Sequence, residues 1–152
     1  LLTVKPDRGD SKEIVIQPAS SLSTTLYEEY VASRKKLVDE YSGGRLGYIH
    51  IRAMNFSSFE RFERELKASG YGKEGIVIDV RWNGGGSTTD MLMAVLNVTQ
   101  HAYTVPRGAT ESLENHKDFE NYYPLSRLPL SAWLKPSISL CKETSYSNAE
   151  IF

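Results

Sequence analysis

The run Gly75-Ile76-Val77-Ile78-Asp79-Val80, followed at once by Arg81-Trp82-Asn83-Gly84-Gly85-Gly86, constrains the fold more than any other stretch of the chain. A β-branched run without polar alternation is what a strand covered on both faces of a parallel sheet requires, so residues 75–80 are predicted to be its central strand. Neighbouring segments agree. Leu46-Gly47-Tyr48-Ile49-His50-Ile51 reads as a strand. Ser57-x-x-Glu60 is placed as a capping box for a helix carrying Phe59, Phe62 and Leu66 at helical spacing, which Gly70 ends. Ser87 to about Gln100 reads as a helix with Met91, Leu92, Val95 and Leu96 inward, Tyr103-Thr104-Val105 as a short strand, and Ser137 to Cys141 as a second buried strand. The alternation predicts an α/β fold, a mainly parallel sheet with flanking helices.

Before this core, short bursts at Leu2-Thr3-Val4 and Ile14-Val15-Ile16 surround the turn-rich Pro6-Asp7-Arg8-Gly9-Asp10, the pattern of a hairpin or of two strand ends. Leu26, Tyr27, Tyr30, Val31, Leu37, Val38 and Tyr41 then recur at three- and four-residue steps. With Thr25 and Glu28 placed as a capping box and Gly43-Gly44 as the stop, a helix is expected over about 24–41. Residues 106–136 are rich in proline and too long for a simple connection. Their aromatics Phe119, Tyr122 and Tyr123, with Trp133, either cover the sheet or line a peptide groove. Residues 148–152 read as the first turn of a helix.

Composition removes several classes. At 152 residues and 40% hydrophobic, the chain has material for one ordinary core. The 18 Lys+Arg against 19 Asp+Glu leave a net charge of -1, so no uniform basic field exists to hold nucleic acid. No stretch approaches the roughly 20 continuous apolar residues of a membrane-spanning helix. The single cysteine, Cys141, cannot close an internal disulfide or build a cysteine zinc site, and the spacing of His50, His101 and His116 matches no metal pattern.

Two loops follow predicted strands at their carboxyl ends, where open α/β sheets build their sites. In the first, Gly84-Gly85-Gly86 leads into a helix and can present backbone N–H groups as a nest for an anion, either a phosphate or a developing oxyanion. The phosphate reading lacks a Gly-Lys-Ser/Thr triplet, and Thr89 stands where a dinucleotide motif has its third glycine. A glycine turn that merely lets the next helix pack closely is the plain alternative. In the second loop, Glu143-Thr144-Ser145-Tyr146-Ser147-Asn148-Ala149-Glu150, a serine at a helix start is either an N-cap or a nucleophile whose negative charge the following N–H stabilises.

Three blocks carry a resemblance. Gly47 to Ile51, Gly75 to Gly86 and Cys141 to Phe152 resemble, in this order, the core of the tail-specific (C-terminal processing) and tricorn-type serine peptidases, with the tricorn-like branch nearer. The resemblance covers about residues 45–152 and implies a crotonase/ClpP-like peptidase core, cut short at its C-terminal end. It also implies a domain division into residues 1–18, as the end of a PDZ-like module or linker strands, and residues 19–152, as a partial serine peptidase core. Ser147 is then the nucleophile and Ser145 a turn or capping residue. The oxyanion hole is the N–H of Asn148 with the N–H of a first-loop glycine, Gly85. Gly84, Gly86, Asp79, Arg81 and Asn83 support the loop, with Arg81 the candidate partner that a buried Asp79 needs. Substrates implied by the resemblance are polypeptides, bound extended and held through a free C-terminus. Oligomerisation is compatible with it, cytoplasmic and cell-envelope members both occur, and no metal or cofactor is implied.

A serine hydroxyl needs a general base, which the family supplies from segments outside these residues, so a fragment of low activity is expected. His50 inside a strand, His101 near a helix–strand junction and His116 in the proline-rich loop read as structural or surface residues. Lys142 stands where the family commonly has a smaller polar residue, and its side chain can reach solvent. Two other readings stay open: a non-catalytic domain of the same fold that binds peptides or hydrophobic ligands, and a nucleotide-binding α/β domain.

Overall fold

The computed structural model describes residues 1–98 and 132–152, in two compact units, Leu1–Ala32 and Ser33–Phe152. The expected strand at Tyr103-Thr104-Val105, most of the proline-rich segment, His101, His116, Phe119, Tyr122 and Tyr123 lie outside the described residues.

In the first unit, β1 (Leu2–Val4) and β2 (Lys12–Ile14) pair antiparallel with Leu2 opposite Ile14, and the turn between them carries Gly9 at positive φ. Of the two patterns expected, this is the hairpin, but its second strand is Lys12–Ile14 and not Ile14-Val15-Ile16, and every residue of both strands is exposed. Helix α1 (Ser23–Ser42) contains the boundary between the units. It begins two residues before Thr25, with the Ser23 N–H donating to Ser21 Oγ at 3.2 Å, so Thr25 and Glu28 lie inside the helix and do not form the expected cap. The apolar spacing predicts the helix correctly but not a buried stripe: Val31 is buried, whereas Leu26 and Tyr41 are exposed.

The second unit contains β3 (Leu46–His50), α2 (Phe56–Gly70), β4 (Gly75–Asp79), α3 (Thr89–Leu96), β5 (Ser137–Leu140) and α4 (Asn148–Ile151). The strands form a parallel sheet in the order β3-β4-β5, with β4 central as its apolar run predicts and all five of its residues buried. Helix α2 is capped by Asn55, whose Oδ1 accepts from the Ser58 N–H at 2.9 Å. Ser57 is therefore not the cap, because an asparagine two residues earlier already holds the first free N–H groups. The α2 side chains Phe59, Phe62 and Leu66 pack into one core with Ile49, Ile76, Ile78 and, from α3, Leu92 and Val95. Each such side chain contributes about 1.5–3 kcal/mol on burial. Trp133 completes this core and lies so close to Gly70 that a Cβ there would meet its ring at 2.4 Å. Of the four aromatics weighed as cover or groove, Trp133 thus covers.

One expectation is corrected here. β5 was predicted to be buried, yet Ser137, Ile138 and Ser139 are exposed and Leu140 only half-buried. Its described strand pairing is to β4 alone, at the edge of the sheet. Register decides where function can sit. His50 pairs with Asp79 and Asp79 with Leu140, so the three strands end at one level and the chain leaves them on the same edge.

Candidate active site

Asp79, the last residue of β4, is fully buried and would be costly as an isolated charge. Its Oδ2 accepts from Tyr48 Oη at 2.7 Å and from the Arg81 guanidinium at 2.6 Å, while Oδ1 accepts from Arg81 Nε at 2.9 Å and the Arg81 backbone N–H at 3.0 Å. Burial pushes the carboxyl up, but the hydrogen bonds from Arg81 and Tyr48 together outweigh it and hold Asp79 below the usual carboxylate range. Tyr48 was not singled out from the sequence. Its register partner is Val77, so it reaches Asp79 diagonally across two adjacent strands, and that diagonal is the signal that could have found it.

The backbone next turns sharply. Trp82 has φ 62, and Asn83 is drawn into the interior, where its Nδ2 donates to the Ile51 carbonyl at 3.0 Å and its Oδ1 accepts from the Gly85 N–H at 2.9 Å. This alters the reading of the glycines. An N–H that is to receive an oxyanion must be free, and in this structure that of Gly85 is donated to Asn83, so the expected open nest is closed at this donor. Gly85 and Gly86, at φ 93 and 145, do need to be glycine, whereas Gly84 has no positive φ and nothing within 4 Å of where its Cβ would lie. The Met54 N–H donates to Gly85 O at 3.0 Å and the Ser87 N–H to Met54 O at 2.7 Å, fastening the loop beside the exit from β3.

The second loop is built against the first. Ser145 is buried; its hydroxyl donates to the Val80 carbonyl at 2.9 Å and accepts from the Lys142 N–H at 3.2 Å. The Tyr146 N–H donates to Asn83 O at 3.1 Å. Ser147 follows at φ 56 and ψ −128, in the N-cap position of α4 but with no side-chain cap bond, and it is exposed. A side chain forced into this backbone region costs on the order of 1–3 kcal/mol, and such strain clusters at reactive sites. A Cβ on Gly85 would lie 2.7 Å from Ser147 Cβ and 3.2 Å from the Asn148 nitrogen, so the two loops touch there. Asn148 Nδ2 donates to Gly86 O, and Thr89 Oγ1 donates to Asn148 O at 2.7 Å. Thr89 was missed because no local pattern announces a contact across 59 residues.

The structure thus brings Asp79, Arg81, Asn83, Gly85, Gly86, Ser145, Ser147 and Asn148 together. His50 is elsewhere engaged: it is buried, and its Nε2–H donates to the Arg81 carbonyl at 3.3 Å. Burial lowers its pKa from the usual imidazole value, although Asp79 opposes this. Lys142 reaches back over the Trp82 ring, its Nζ 5.2 Å from the centroid. Among the described residues no three His, Cys, Asp or Glu side chains cluster to hold a metal ion, and no helix is long and apolar enough to cross a membrane.

Residues 45–152 match the family model described as Peptidase family S41. The chain is 35% identical over 108 residues to Tricorn protease homolog 1 of Streptomyces coelicolor, covering 70% of this chain and 10% of the relative. It is 35% identical over 107 residues to the tricorn protease homolog of Saccharolobus solfataricus, again covering 70% and 10%. To the tricorn protease of Thermoplasma acidophilum it is 28% identical over 145 residues, covering 95% of this chain and 12% of the relative. Among solved structures, the crystal structure of the tricorn protease superposes with a TM-score of 0.71 at 24% identity, covering 98% of this chain and 13% of that one. That likeness shows the shared fold, an α/β unit with a parallel sheet and helices. The chain spans about a tenth of the length of the curated relatives it matches. It belongs to peptidase family S41, as a core domain of tricorn type.

Proposed function

We propose that this chain carries the nucleophile of a serine endopeptidase acting on polypeptides, with Ser147 forming the acyl-enzyme. The observation that carries this reading is the backbone of Ser147. It is strained at φ 56, it leads directly into α4, and its exposed hydroxyl makes no cap bond although it stands in the cap position. A serine serving only as a cap would hold an N–H of the first turn. In the proposed reaction Ser147 Oγ attacks the scissile carbonyl and the Asn148 N–H, at the amino end of α4, receives the oxyanion. Water then hydrolyses the acyl-enzyme. A second donor comes from the glycine loop, and if it is Gly85 its N–H must first leave Asn83 Oδ1. The general base comes from segments outside these 152 residues. We assign residues 19–152 to this core and 1–18 to the end of a PDZ-like module or linker, with substrates extended and held by a free C-terminus.

The Gly85 N–H held on Asn83 Oδ1 favours one alternative, a non-catalytic domain of the same fold that binds peptides. Intact-mass detection of fluorophosphonate labelling, run beside Ser147→Ala with folding checked by circular dichroism, separates the two. Slow labelling of the wild type that vanishes in Ser147→Ala is the expected result. A folded chain that stays unlabelled even at alkaline pH, with the longer parent protein unlabelled as well, would turn the assignment to the binding domain.

A further inference from the structure

We propose that Trp82 and Lys142 form a subsite beside Ser147 that takes an acidic side chain, aspartate or glutamate, of an extended polypeptide. This rests on Ser147 as the reactive group and adds the chemistry of one neighbouring substrate residue. Among the described residues only two non-glycine residues hold a positive φ, Trp82 and Ser147. They flank a single hydrogen bond, from the Tyr146 N–H to Asn83 O, Trp82 one residue before the acceptor and Ser147 one residue after the donor. The two strained positions therefore share one rim at the carboxyl ends of the parallel strands. Trp82 remains 54% exposed, so core packing does not account for a bulky ring in so unfavourable a backbone region.

Among the described residues, the two charges over the ring are unequal. The Arg81 guanidinium lies 5.3 Å from the Trp82 centroid, but its charge is matched by Asp79. Lys142 Nζ lies 5.2 Å from the same centroid, is exposed, and has no carboxylate partner among the described residues; the adjacent Glu143 does not pair with it. An ammonium fixed against an aromatic wall suits a carboxylate on a short methylene stem, with the stem against the ring and the oxygens on Nζ.

The test is a titration of the 152-residue chain into dye-tagged peptides, read by fluorescence anisotropy. The peptides are acetylated at the amino end, keep a free carboxyl terminus, and are identical except for Glu, Gln or Lys at one central position. The Glu peptide is expected to bind about two- to fivefold more tightly than the Gln peptide, with the Lys peptide weakest and the differences shrinking as salt rises. Lys142→Glu should reverse the ranking. Trp82→Ala should weaken all three by about tenfold, with circular dichroism unchanged in both variants. Equal affinities in the wild type, or a ranking that Lys142→Glu leaves intact, would overturn the subsite and leave peptide binding standing. No binding by any peptide overturns the subsite alone if Ser147 is labelled by fluorophosphonate in this chain or in the longer parent protein, and removes both proposals if it is labelled in neither.

Discussion

The glycine loop after β4 and the serine loop after β5 leave the same edge of the sheet, yet they are held in opposite ways. The glycine loop is tied into the body of the unit, through Asn83 to Ile51 and through Gly85 and Ser87 to Met54. The serine loop has few ties of that kind. Ser145 hangs on Val80, Tyr146 on Asn83, the Asn148 side chain on Gly86 and the Asn148 carbonyl on Thr89. All four anchors lie in or beside the glycine loop. The strained serine is therefore positioned by borrowed rigidity, and damage to the glycine loop should reach Ser147 more readily than the reverse.

The largest expected effect is at the deepest tie. A Cβ on Gly86 would lie 2.0 Å from Met54 O and 2.6 Å from Met54 C, on a backbone at φ 145. Neither obstacle is a flexible side-chain end, so Gly86→Ala must break the contact with Met54 and should cost about 3 kcal/mol or more. Gly84→Ala meets nothing within 4 Å and should stay within about 0.5 kcal/mol of wild type. Urea unfolding of the two variants checks both figures. Equal losses at the two positions would mean that glycine content, not the tie to Met54, sets the stability of this loop.

Asn83 comes next, because it serves both loops. Its side chain joins Ile51 O to the Gly85 N–H and its carbonyl holds Tyr146. Asn83→Ala leaves the buried Ile51 carbonyl and the part-buried Gly85 N–H without these partners, a loss of about 1–3 kcal/mol. If the serine loop borrows its order, amide exchange at Tyr146 and Ala149 should speed up in this variant more than exchange in β3. Unchanged exchange at those two amides would make the serine loop self-supporting.

The contrast also marks how far the sequence could be read. The β-branched run at 75–80 identified a central parallel strand because full burial on both faces leaves a local pattern. The strand at Ser137–Leu140 shows a similar apolar content but is exposed, since a strand's own residues do not record what lies over it. The capping-box spacing points to Ser57 as the cap, whereas Asn55 fills the position by reaching Ser58 first. At the site, Arg81 could be named as the partner of Asp79 from the cost of a lone buried carboxylate. The choice of Ser147 over Ser145 came from resemblance alone, because φ and hydroxyl partners are properties of the folded loop. The bond from the Gly85 N–H to Asn83 Oδ1 was illegible for the same reason, although the residues are only two apart.

The smallest effects separate the two serines themselves. Ser145 is buried with its hydroxyl holding Val80 O and the Lys142 N–H, so Ser145→Ala should destabilise by about 1–2 kcal/mol. Ser147 is exposed and strained, and its hydroxyl takes no part in capping α4. Ser147→Gly relieves the strain at φ 56 at the expense of a more flexible unfolded chain, and the balance should be a gain of about 0.5–1 kcal/mol. Thermal unfolding of the pair then gives opposite signs for serines two residues apart. A residue whose removal stabilises the fold is one that folding alone would not have retained in this conformation, which is the mark of a site shaped for reactivity. If Ser147→Gly instead destabilises the chain as Ser145→Ala does, Ser147 is a structural part of the turn, and the reading of its backbone as stored strain fails.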